Sequence, residues 1–457
     1  MALNWVKLLN SNRLGFDQTN NAQSSSRSSW QIDYDRIVFS SAFRKLQGKT
    51  QVIPIPESEF VHTRLTHSIE VSSVGRSLGA AVGEKLLANK HQDKYGLNEV
   101  EHFAAQDMGT IVATACLAHD LGNPPFGHSG ESCIGAFFCK FLENNKDIDL
   151  TIAQTKDLCN YEGNAAGFRI LTNQSQSNTG LMLSYSSLAA FSKYPCASTL
   201  AQGKNAAWSG QKKFGYFIAD HRAFTIVAEA TGLQNHSPNG QIAWHRHPLS
   251  FLMEAADDIC YRIVDLEDGC RINFINFNTY ESLLLPIVEY CFQGNHRYLS
   301  MSTDDEKIIY LRAKAINGLT SAVAEVFMAN YDKIMSCEYR TTLLDGLNAK
   351  LMGLITAINN VSLNYLYKAK PVVALELVGY EVITGLLELF ITAVSEVKIS
   401  IRSKQLLSIV PANFKRVAYA DNKYESMLDI AGFIASMTDR EAINLYRQLK
   451  GIELPRV

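Results

Sequence analysis

Apolar residues recur mainly at spacings of three and four along most of the chain, as in Val71, Val74 and Leu78. This spacing places apolar side chains on one face of an α-helix, so it predicts a predominantly helical, all-α protein. Alternation of apolar and polar residues, which is typical of a half-buried strand, is limited to short pieces over 50–55 and 213–218. The sequence contains no internal repeat and no heptad run.

One predicted helix, over 109–121, is apolar on almost every face, which indicates a helix buried on all sides. It ends with the polar pair His119 and Asp120, which we therefore expect to be buried as well. Gly122 suits the position after a helix C-terminus, and the prolines that follow prevent the helix from continuing. The chain thus turns directly after the His-Asp pair.

A second predicted helix covers 248–268, with a proline suited to its first position and Gly269 at its end. Asp257, Tyr261 and Asp265 are spaced by four, so they form one strip that is separate from the apolar stripe. This strip is predicted to face a ligand. The alternative is that its acidic residues are solvated surface groups.

The regions that flank these helices differ in composition. Residues 1–29 include a polar, Ser-rich stretch and are predicted to form an N-terminal arm. Residues beyond about 280 return to long amphipathic patterns with few candidate catalytic groups, so they are predicted to be mainly scaffold and oligomer surface. A chain of 457 residues can hold one large core with appended elements, or two packed regions.

The net charge of −2, from 43 basic and 45 acidic residues, gives no global field that would attract nucleic acid or anionic lipid. A polyanionic ligand must then be met by a local cluster of cations. The nine cysteines are an odd number without a CxxC pair, which is typical of free thiols in a reducing compartment. No run of 18 apolar residues and no signal-like N-terminus occurs, so a cytoplasmic protein without membrane contact is expected.

The His119-Asp120 pair indicates a metal site, because a buried carboxylate is costly unless it is paired or ligates a metal ion. Taken alone, the pair could equally be a helix-capping Asp beside a core histidine. Asp257 is preferred over Asp258 as a further ligand, since Asp258 has Arg262 four residues later as an ordinary surface ion-pair partner.

His67 lies in a segment that continues helically, with Arg64 and Glu70 on the same face. We expect His67 to complete the ligand set and Arg64 to meet a phosphate near the metal. Imidazoles and carboxylates together suit one divalent ion such as Mn²⁺, Mg²⁺, Fe²⁺ or Ni²⁺. Mn²⁺ or Mg²⁺ is expected first and Zn²⁺ is compatible, but the thiolate-free shell argues against a structural zinc.

The turn after the His-Asp pair reads GNPPFGHSGE, in which His128 and Glu131 are three residues apart at the start of a predicted helix. At this spacing the carboxylate can orient the imidazole, so the pair is predicted to be an acid/base dyad. The alternative is a loop histidine, with Glu131 merely favouring the helix N-terminus. A phosphate-binding P-loop is rejected, because the turn follows a helix, lacks the required lysine and contains prolines without N–H groups.

With these residues placed, the chain resembles the HD-domain metal-dependent phosphohydrolases, a helical family named for its His-Asp pair. Its flanking stretches are similar to the deoxyguanosinetriphosphate triphosphohydrolase (dGTPase) branch: SSAFRKLQGKTQVIP, RLTHSIEV, AHDLGNPPFGHSGE, YEGNAAGFRIL, KKFGYF, MEAADDICYRIVDLEDG and MTDREAINLYRQLKG. The resemblance implies an HD-type core over 30–275. Residues 276–457 are then expected to complete the core and to form oligomer contacts.

The resemblance also implies roles for individual residues. The implied metal ligands are His67, His119, Asp120 and Asp257, and the implied catalytic dyad is His128 and Glu131. The implied substrate contacts are Tyr261, Asp265 and Gln51 beside the deoxyribose and base, and Lys193, Tyr194, Lys213 and Arg64 beside the triphosphate. An aromatic ring against C2′ leaves no room for a 2′-hydroxyl, which would exclude ribonucleotides.

The function implied is metal-dependent hydrolysis of dGTP or another deoxynucleoside triphosphate to the deoxynucleoside and tripolyphosphate. One rival is an HD phosphohydrolase for monophosphates or cyclic nucleotides, against which the predicted lysine cluster argues. Another is a non-catalytic nucleotide sensor or a single-strand nucleic-acid binder, in which a dyad would have no role. The resemblance further implies a homo-oligomer, expected to be a hexamer, and leaves open an allosteric nucleotide and the preferred base.

Overall fold

The structure of the chain is a computed structural model. It describes residues 2–14, 27–52, 61–101, 103–172, 180–236, 243–292, 294, 296–396, 398–415 and 422–454. Within these residues the chain forms twenty α-helices and two strands of two residues each. The prediction of an all-α fold is therefore confirmed.

The helices are numbered in chain order. The first ten are α1 (Trp5–Leu8), α2 (Ser29–Val38), α3 (Ser41–Lys45), α4 (Arg64–Ala88), α5 (Ala105–Ala118), α6 (Gly127–Asn144), α7 (Ile152–Cys159), α8 (Gly163–Thr172), α9 (Tyr185–Phe191) and α10 (His221–Ala230). The other ten are α11 (Pro248–Arg271), α12 (Phe277–Cys291), α13 (His296–Leu299), α14 (Asp304–Ala329), α15 (Tyr331–Met335), α16 (Ala349–Val361), α17 (Lys370–Ser395), α18 (Ile401–Ser408), α19 (Lys423–Ala435) and α20 (Asp439–Leu449). The strands β1 (Asn235–His236) and β2 (Ala243–Trp244) pair in antiparallel fashion.

The strand predictions are wrong where the structure describes them. Over 213–218 the chain forms no strand, and Tyr216 makes a single bridge to Ala197. Thr50 likewise makes one bridge, to Thr63, while residues 53–55 of that predicted strand lie outside the described residues. Residues 214–217 are all buried, so the sequence pattern there reflects packing into the core and not pairing in a sheet.

Helices α4, α5 and α11 pack together at the centre of the fold. Glycines let α4 and α5 approach closely, since a Cβ at Gly79 would lie 2.8 Å from Gly109 Cα and one at Gly83 would lie 2.9 Å from Ala105 Cα. Side chains larger than hydrogen at these positions would push the helices apart. This close packing holds together the two helices at whose other ends His67 and His119 lie.

Two hydrophobic clusters form the core of the described residues, and each contains residues on both sides of residue 275. The first joins α4, α5 and α11 to α12, α14 and α16, and the second joins α6 and α8 to α17, α19 and α20. Leu3, Trp5 and Leu8 are buried in the first cluster, so the predicted arm over 1–29 is wrong for this part. A helix of four residues is too short to produce a recognisable periodic pattern. Residues 15–26 lie outside the described residues.

The end of α5 lies close to its predicted position. The helix stops one residue before His119, which is its C-cap, and Asp120 lies in the turn beyond it. All residues from 111 to 118 are buried, as predicted from the apolar character of every face. The His-Asp pair therefore leaves a buried helix at the point where the chain changes direction.

Helix α11 begins at Pro248 as predicted but continues through Gly269 to Arg271. Gly269 serves packing and not termination, because a Cβ at this position would overlap with the side chain of Leu366. The close contact brings the segment after α16 against the end of α11. Leu366 is followed by a tyrosine that reaches the candidate site.

Among the described residues, α17 is the one helix whose length and composition would allow it to cross a membrane, with a mean hydropathy of 1.7. Its most apolar window is 56% buried inside the protein, where the helix packs against α6 and α19. A core helix has the same composition, so this single helix is weak evidence for a membrane span.

Candidate metal centre and active site

Four predicted ligands lie close together, and the donor atoms of His67, His119 and Asp120 are within 4.8 Å of one another. His67 comes from the first turn of α4, His119 and Asp120 follow α5, and Asp257 comes from α11. Asp257 Oδ1 lies 3.3 Å from His67 Nε2 and 3.4 Å from His119 Nε2. Asp120 Oδ1 lies 3.5 Å from His119 Nε2. The fold thus brings together the four side chains that the sequence analysis proposed as ligands.

The donor atoms of this cluster fit a divalent cation. His119 Nδ1 donates to the carbonyl of Cys116 at 2.6 Å, so in the neutral imidazole Nε2 carries the lone pair and faces Asp120 and Asp257. A lone pair that faces carboxylate oxygens is repelled unless a positive charge lies between them. Burial lowers the pKa of His119, but the two carboxylates outweigh burial and raise it to about 9. The cluster therefore favours a positive charge at its centre.

Asp120 is oriented by two further side chains. Arg64 Nη1 donates to Asp120 Oδ2 at 2.8 Å, and Asn123 Nδ2 donates to Asp120 Oδ1 at 2.5 Å. Burial raises the pKa of Asp120, but the charges of His119 and Arg64 outweigh burial and lower it to about 2. Hydrogen bonds of this kind fix the direction of a ligating carboxylate. Arg64 was expected to meet a phosphate, yet one of its nitrogens is directed to a predicted metal ligand.

The first turn of α6 carries the predicted dyad. His128 Nδ1 donates to Glu131 Oε2 at 2.8 Å, and Glu131 Oε1 accepts from the backbone N–H of Gly163 at 2.7 Å. Phe126 and Gly127, each with a φ of 61°, turn the chain into the helix. The His128 side chain is 80% exposed, so its Nε2 can exchange a proton with a ligand.

Lys213 lies between two carboxylates. Its Nζ is 3.0 Å from Glu162 and 3.8 Å from Glu131 Oε2. Burial lowers the pKa of Lys213, but the two carboxylates outweigh burial and raise it. Glu162 was not singled out in the sequence, although it lies in the stretch YEGNAAGFRIL. Lys213 therefore neutralises the acidic groups behind the dyad as well as facing the cavity.

Lys193 and Tyr194 are positioned by a buried ion pair that the sequence analysis missed. Lys193 Nζ lies 3.5 Å from Asp257 Oδ2. Arg246 donates from Nε to the carbonyl of Lys193 at 2.6 Å and from Nη1 to Glu254 Oε2 at 2.6 Å. Its guanidinium also lies 5.8 Å from the centre of the Tyr194 ring. Arg246 lies before the start of α11 and Glu254 lies within this helix, so helical periodicity does not predict their contact.

Tyr261 faces a second aromatic ring, that of Tyr367. The two rings are stacked, with centres 5.8 Å apart and planes at 11°. The hydroxyl of Tyr367 donates to Asp265 Oδ2 at 2.9 Å. Tyr367 follows a π-helical turn over 362–366, a segment without a sequence signal for a site.

A cavity of about 490 Å³ joins these groups. The side chains proposed from the sequence that line it are Gln51, Arg64, His119, Asp120, His128, Glu131, Lys193, Tyr194, Lys213, Asp257 and Tyr261. His67 and Asp265 do not line it, and both are buried behind other groups of the site. Gln51 Oε1 is buried without a hydrogen-bond partner among the described residues, so a ligand could satisfy it.

Two expectations about the surroundings of the site are wrong. The C-terminal part of the chain is more than scaffold, because Tyr367, Val372 and Glu376 line the cavity. Asp258 is not an ordinary surface residue: its carboxylate is 28% exposed, pairs with Arg262 at 2.9 Å and also lines the cavity.

Comparison with known proteins decides the family. The HD domain profile matches residues 64–166. A deoxyguanosinetriphosphate triphosphohydrolase-like protein of Synechocystis sp. is 39% identical over 99% of this chain and 100% of its own length. The chain belongs to the HD-domain deoxyguanosinetriphosphate triphosphohydrolase (dGTPase) family. A like-named protein of Pseudomonas aeruginosa is 34% identical over 99% of this chain and 100% of its own length. A deoxyguanosinetriphosphate triphosphohydrolase of Enterobacter sp. is 31% identical over 79% of this chain and 76% of its own length.

The match to the HD domain covers only part of the site in this dGTPase-family protein. Residues 64–166 include His67, the His-Asp pair and the dyad. Asp257 and Tyr261 lie on α11, beyond the matched residues. The relatives that span nearly the whole chain extend the similarity to that helix.

Proposed function

We propose that the protein hydrolyses deoxynucleoside triphosphates to the deoxynucleoside and tripolyphosphate. The supporting observation is that one cavity of about 490 Å³ combines a cation-binding cluster, the His128–Glu131 pair and the ring of Tyr261. One divalent ion, Mn²⁺ or Mg²⁺, would be held by His67, His119, Asp120 and Asp257.

When bound, the ion would act as a Lewis acid towards a phosphate oxygen and a water molecule. Water attacks the α-phosphorus, the bond from that phosphorus to O5′ breaks, and the entering oxygen remains in tripolyphosphate. His128 exchanges a proton at Nε2 during this step, because its Nδ1–H is donated to Glu131. Burial raises the pKa of Glu131, but the hydrogen bond from His128 and the charge of Lys213 outweigh burial and lower it to about 2. Glu131 therefore stays ionised and holds the imidazole in one tautomer.

The charges on the cavity wall support a metal-dependent reaction. The charged side chains among the described wall residues are Arg64, Lys193 and Lys213 as cations and Asp120, Glu131, Asp257, Asp258 and Glu376 as anions. With the wall histidines neutral, as a metal ligand requires of His119, three positive and five negative charges leave a balance of −2, which repels a triphosphate. One divalent ion cancels this balance. The lysines and the metal ion, which the sequence interpretation expected to neutralise the phosphates together, are both needed for this charge balance.

The stacked tyrosines support a preference for deoxyribose. The ring of Tyr261 lies one helical turn beyond Asp257, and the parallel ring of Tyr367 braces it. A sugar bound next to the metal cluster would place its C2′ edge against this rigid wall, where a 2′-hydroxyl lacks room. The hydroxyl of Tyr367, which is held by Asp265, offers a polar group for a 3′-hydroxyl.

The further partners follow from the family resemblance. We propose a cytoplasmic homo-oligomer, with a hexamer as the expected state, and a second nucleotide as a candidate activator. Leu377 and Val378 on α17 are 65% and 44% exposed, and apolar side chains of this kind suit contacts between subunits. Light scattering of the purified chain, with and without added nucleotide, measures the state directly.

The test of the proposed function is a turnover screen with Mn²⁺ or Mg²⁺. Each of the four deoxynucleoside triphosphates is supplied singly and in pairs, and products are separated by anion-exchange chromatography. Release of tripolyphosphate and deoxynucleoside supports the proposal, and stimulation within a pair supports a second nucleotide site. Release of pyrophosphate or orthophosphate overturns it, as does turnover of monophosphates or cyclic nucleotides alone. Tight nucleotide binding without any product would identify a sensor.

A further inference from the structure

Asp439, the first residue of α20, joins two segments of the active site that are distant in sequence. Its Oδ2 accepts from the backbone N–H of Thr50 at 3.0 Å, and its Oδ1 accepts from the backbone N–H of Phe126 at 3.0 Å. Asp439 is 6% exposed, and both hydrogen bonds are buried. One carboxylate from the C-terminal part of the chain thus receives an N–H from each segment.

The N–H of Phe126 donates to Asp439 where the backbone turns sharply into α6. The two preceding residues are prolines, which have no N–H, and Phe126 has a φ of 61°. Phe126 is also the N-cap of α6, and its side chain makes no capping hydrogen bond. His128 follows two residues later. The bond to Asp439 therefore fixes the backbone where the chain passes from the metal cluster to the dyad.

The N–H of Thr50 lies in the segment that leads to Gln51 on the cavity wall. Thr50 forms an antiparallel bridge with Thr63, and the carbonyl of Lys49 accepts from the N–H of Arg64 at 3.2 Å. Arg64 is the first residue of α4. The second bond of Asp439 therefore holds the strip of chain that connects the start of α4 to the cavity.

Lys49 makes a parallel connection between the same regions. Its buried Nζ donates to the carbonyl of Asn123 at 2.6 Å and to the carbonyl of Ala435 at 2.7 Å. The side chain of Asn123 in turn donates to Asp120. Residues 435–439 thus hold the metal-ligand turn through Lys49 and the start of α6 through Asp439.

Helix α20 does not need the Asp439 carboxylate for its own N-terminus. The side chain of Thr438 accepts from the N–H of Glu441, and the side chain of Glu441 accepts from the N–H of Thr438. Both capping groups are thus supplied by other residues. The Asp439 carboxylate is directed at the active-site segments instead.

We infer that Asp439 is a positioning residue, which sets the places of His128 and Gln51 by holding the N–H groups of Phe126 and Thr50. It does not line the cavity, so it acts through the backbone of these segments. The changes in kcat and KM that we expect rest on the proposed function, whereas the change in hydrogen exchange does not.

The test compares Asp439→Asn with Glu441→Gln. Both change a carboxylate to an amide on the first turn of α20, but the exposed Glu441 touches neither active-site segment, and glutamine still caps the helix. An asparagine amide at 439 faces one of the two N–H groups with a donor, so that hydrogen bond is lost. We expect Asp439→Asn to lower kcat by about tenfold or more with a smaller change in KM and in Mn²⁺ affinity. Amide hydrogen exchange over 49–51 and 126–128 should accelerate, and Glu441→Gln should change none of these.

The exchange measurement separates this inference from the proposed function. If the native protein releases no tripolyphosphate, the proposed function fails, while exchange still decides whether Asp439 holds the two segments. Unchanged exchange over both segments in folded Asp439→Asn overturns the inference, and so does an unchanged kcat in an active enzyme. If Asp439→Asn does not fold, Asp439→Glu is measured instead, because it keeps the charge and moves the oxygens by one methylene. Native kcat and exchange in that variant would overturn the inference equally.

Discussion

The hydroxyl of Tyr367 donates a hydrogen bond to Asp265 Oδ2 at 2.9 Å. This bond holds the Tyr367 ring parallel to that of Tyr261. Both rings line the cavity, and the Asp265 carboxylate is buried behind them. Asp265, which the family resemblance places beside the deoxyribose, therefore contacts Tyr367 and does not reach the cavity.

Replacing Tyr261 with alanine should weaken the discrimination against ribonucleotides, because removal of the ring opens space for a 2′-hydroxyl. We expect the ratio of kcat/KM for a deoxynucleoside triphosphate to that for its ribonucleotide to fall by about ten- to a hundredfold. Steady-state kinetics with both substrates measures this ratio. Tyr365→Ala is the control, since Tyr365 is 59% exposed and lies outside the cavity. An unchanged ratio in Tyr261→Ala would assign sugar selection to another group.

Replacing Asp257 with asparagine should weaken metal binding, because it removes one charged ligand from the cluster. Isothermal titration with Mn²⁺ should give an affinity lower by about tenfold or more. Asp258→Asn changes the adjacent carboxylate, which pairs with Arg262, and should keep most of the affinity. The reverse order of effects would show that Asp258 is the ligand.

Replacing His128 with alanine should abolish most turnover while leaving the metal bound. The loss of proton transfer should lower kcat by about 10²- to 10⁴-fold. Ser132→Ala is a suitable control on the same helix, since Ser132 is exposed and its hydroxyl only donates to the carbonyl of His128. Native kcat in His128→Ala would remove the dyad from the mechanism.

Replacing Glu254 with glutamine should destabilise the fold, because it leaves the fully buried Arg246 guanidinium without its carboxylate partner. Loss of one partner of a buried ion pair costs about 3–5 kcal/mol in the free energy of unfolding. Urea denaturation of the metal-free protein measures this change. Asp305→Asn should have little effect, because the Asp305 side chain that pairs with Arg271 is 79% exposed. A Glu254→Gln protein as stable as the native one would contradict the role given to this pair.

The stability of the protein should decline between pH 6.5 and pH 10 through His62. Burial lowers the pKa of His62, but hydrogen bonds to Asp268 and Glu70 outweigh burial and raise it from 6.5 to about 10. A raised pKa stabilises the folded state below pH 6.5, and this contribution is lost as the pH rises towards 10. Thermal unfolding across this range should show native protein and His62→Gln converging at high pH. A constant difference between the two would contradict the assignment.

Much of the site could be predicted because its residues lie on helices with clear sequence signals. The apolar character of α5 predicted that His119 and Asp120 lie at the end of a buried helix. The spacing of four residues between Asp257 and Tyr261 predicted that both lie on one strip of α11. These inferences depend on local periodicity, which a single sequence contains.

The remaining features depend on contacts between segments that are distant in sequence. Tyr367 reaches the cavity because Gly269 lets Leu366 pack closely against α11. Asp439 accepts a hydrogen bond from Phe126, which is 313 residues distant in the sequence. The periodicity of a single sequence does not predict such contacts. The prediction of an N-terminal arm is wrong for residues 3–8 because α1, with four residues, is too short to show a helical periodicity.

The position of bond cleavage tests the central proposal most directly. Hydrolysis of a deoxynucleoside triphosphate is run in water enriched in ¹⁸O with Mn²⁺, and the products are analysed by mass spectrometry. Attack at the α-phosphorus predicts one ¹⁸O atom in tripolyphosphate and none in the deoxynucleoside. Label in orthophosphate or pyrophosphate, with a nucleoside mono- or diphosphate as the other product, would contradict it.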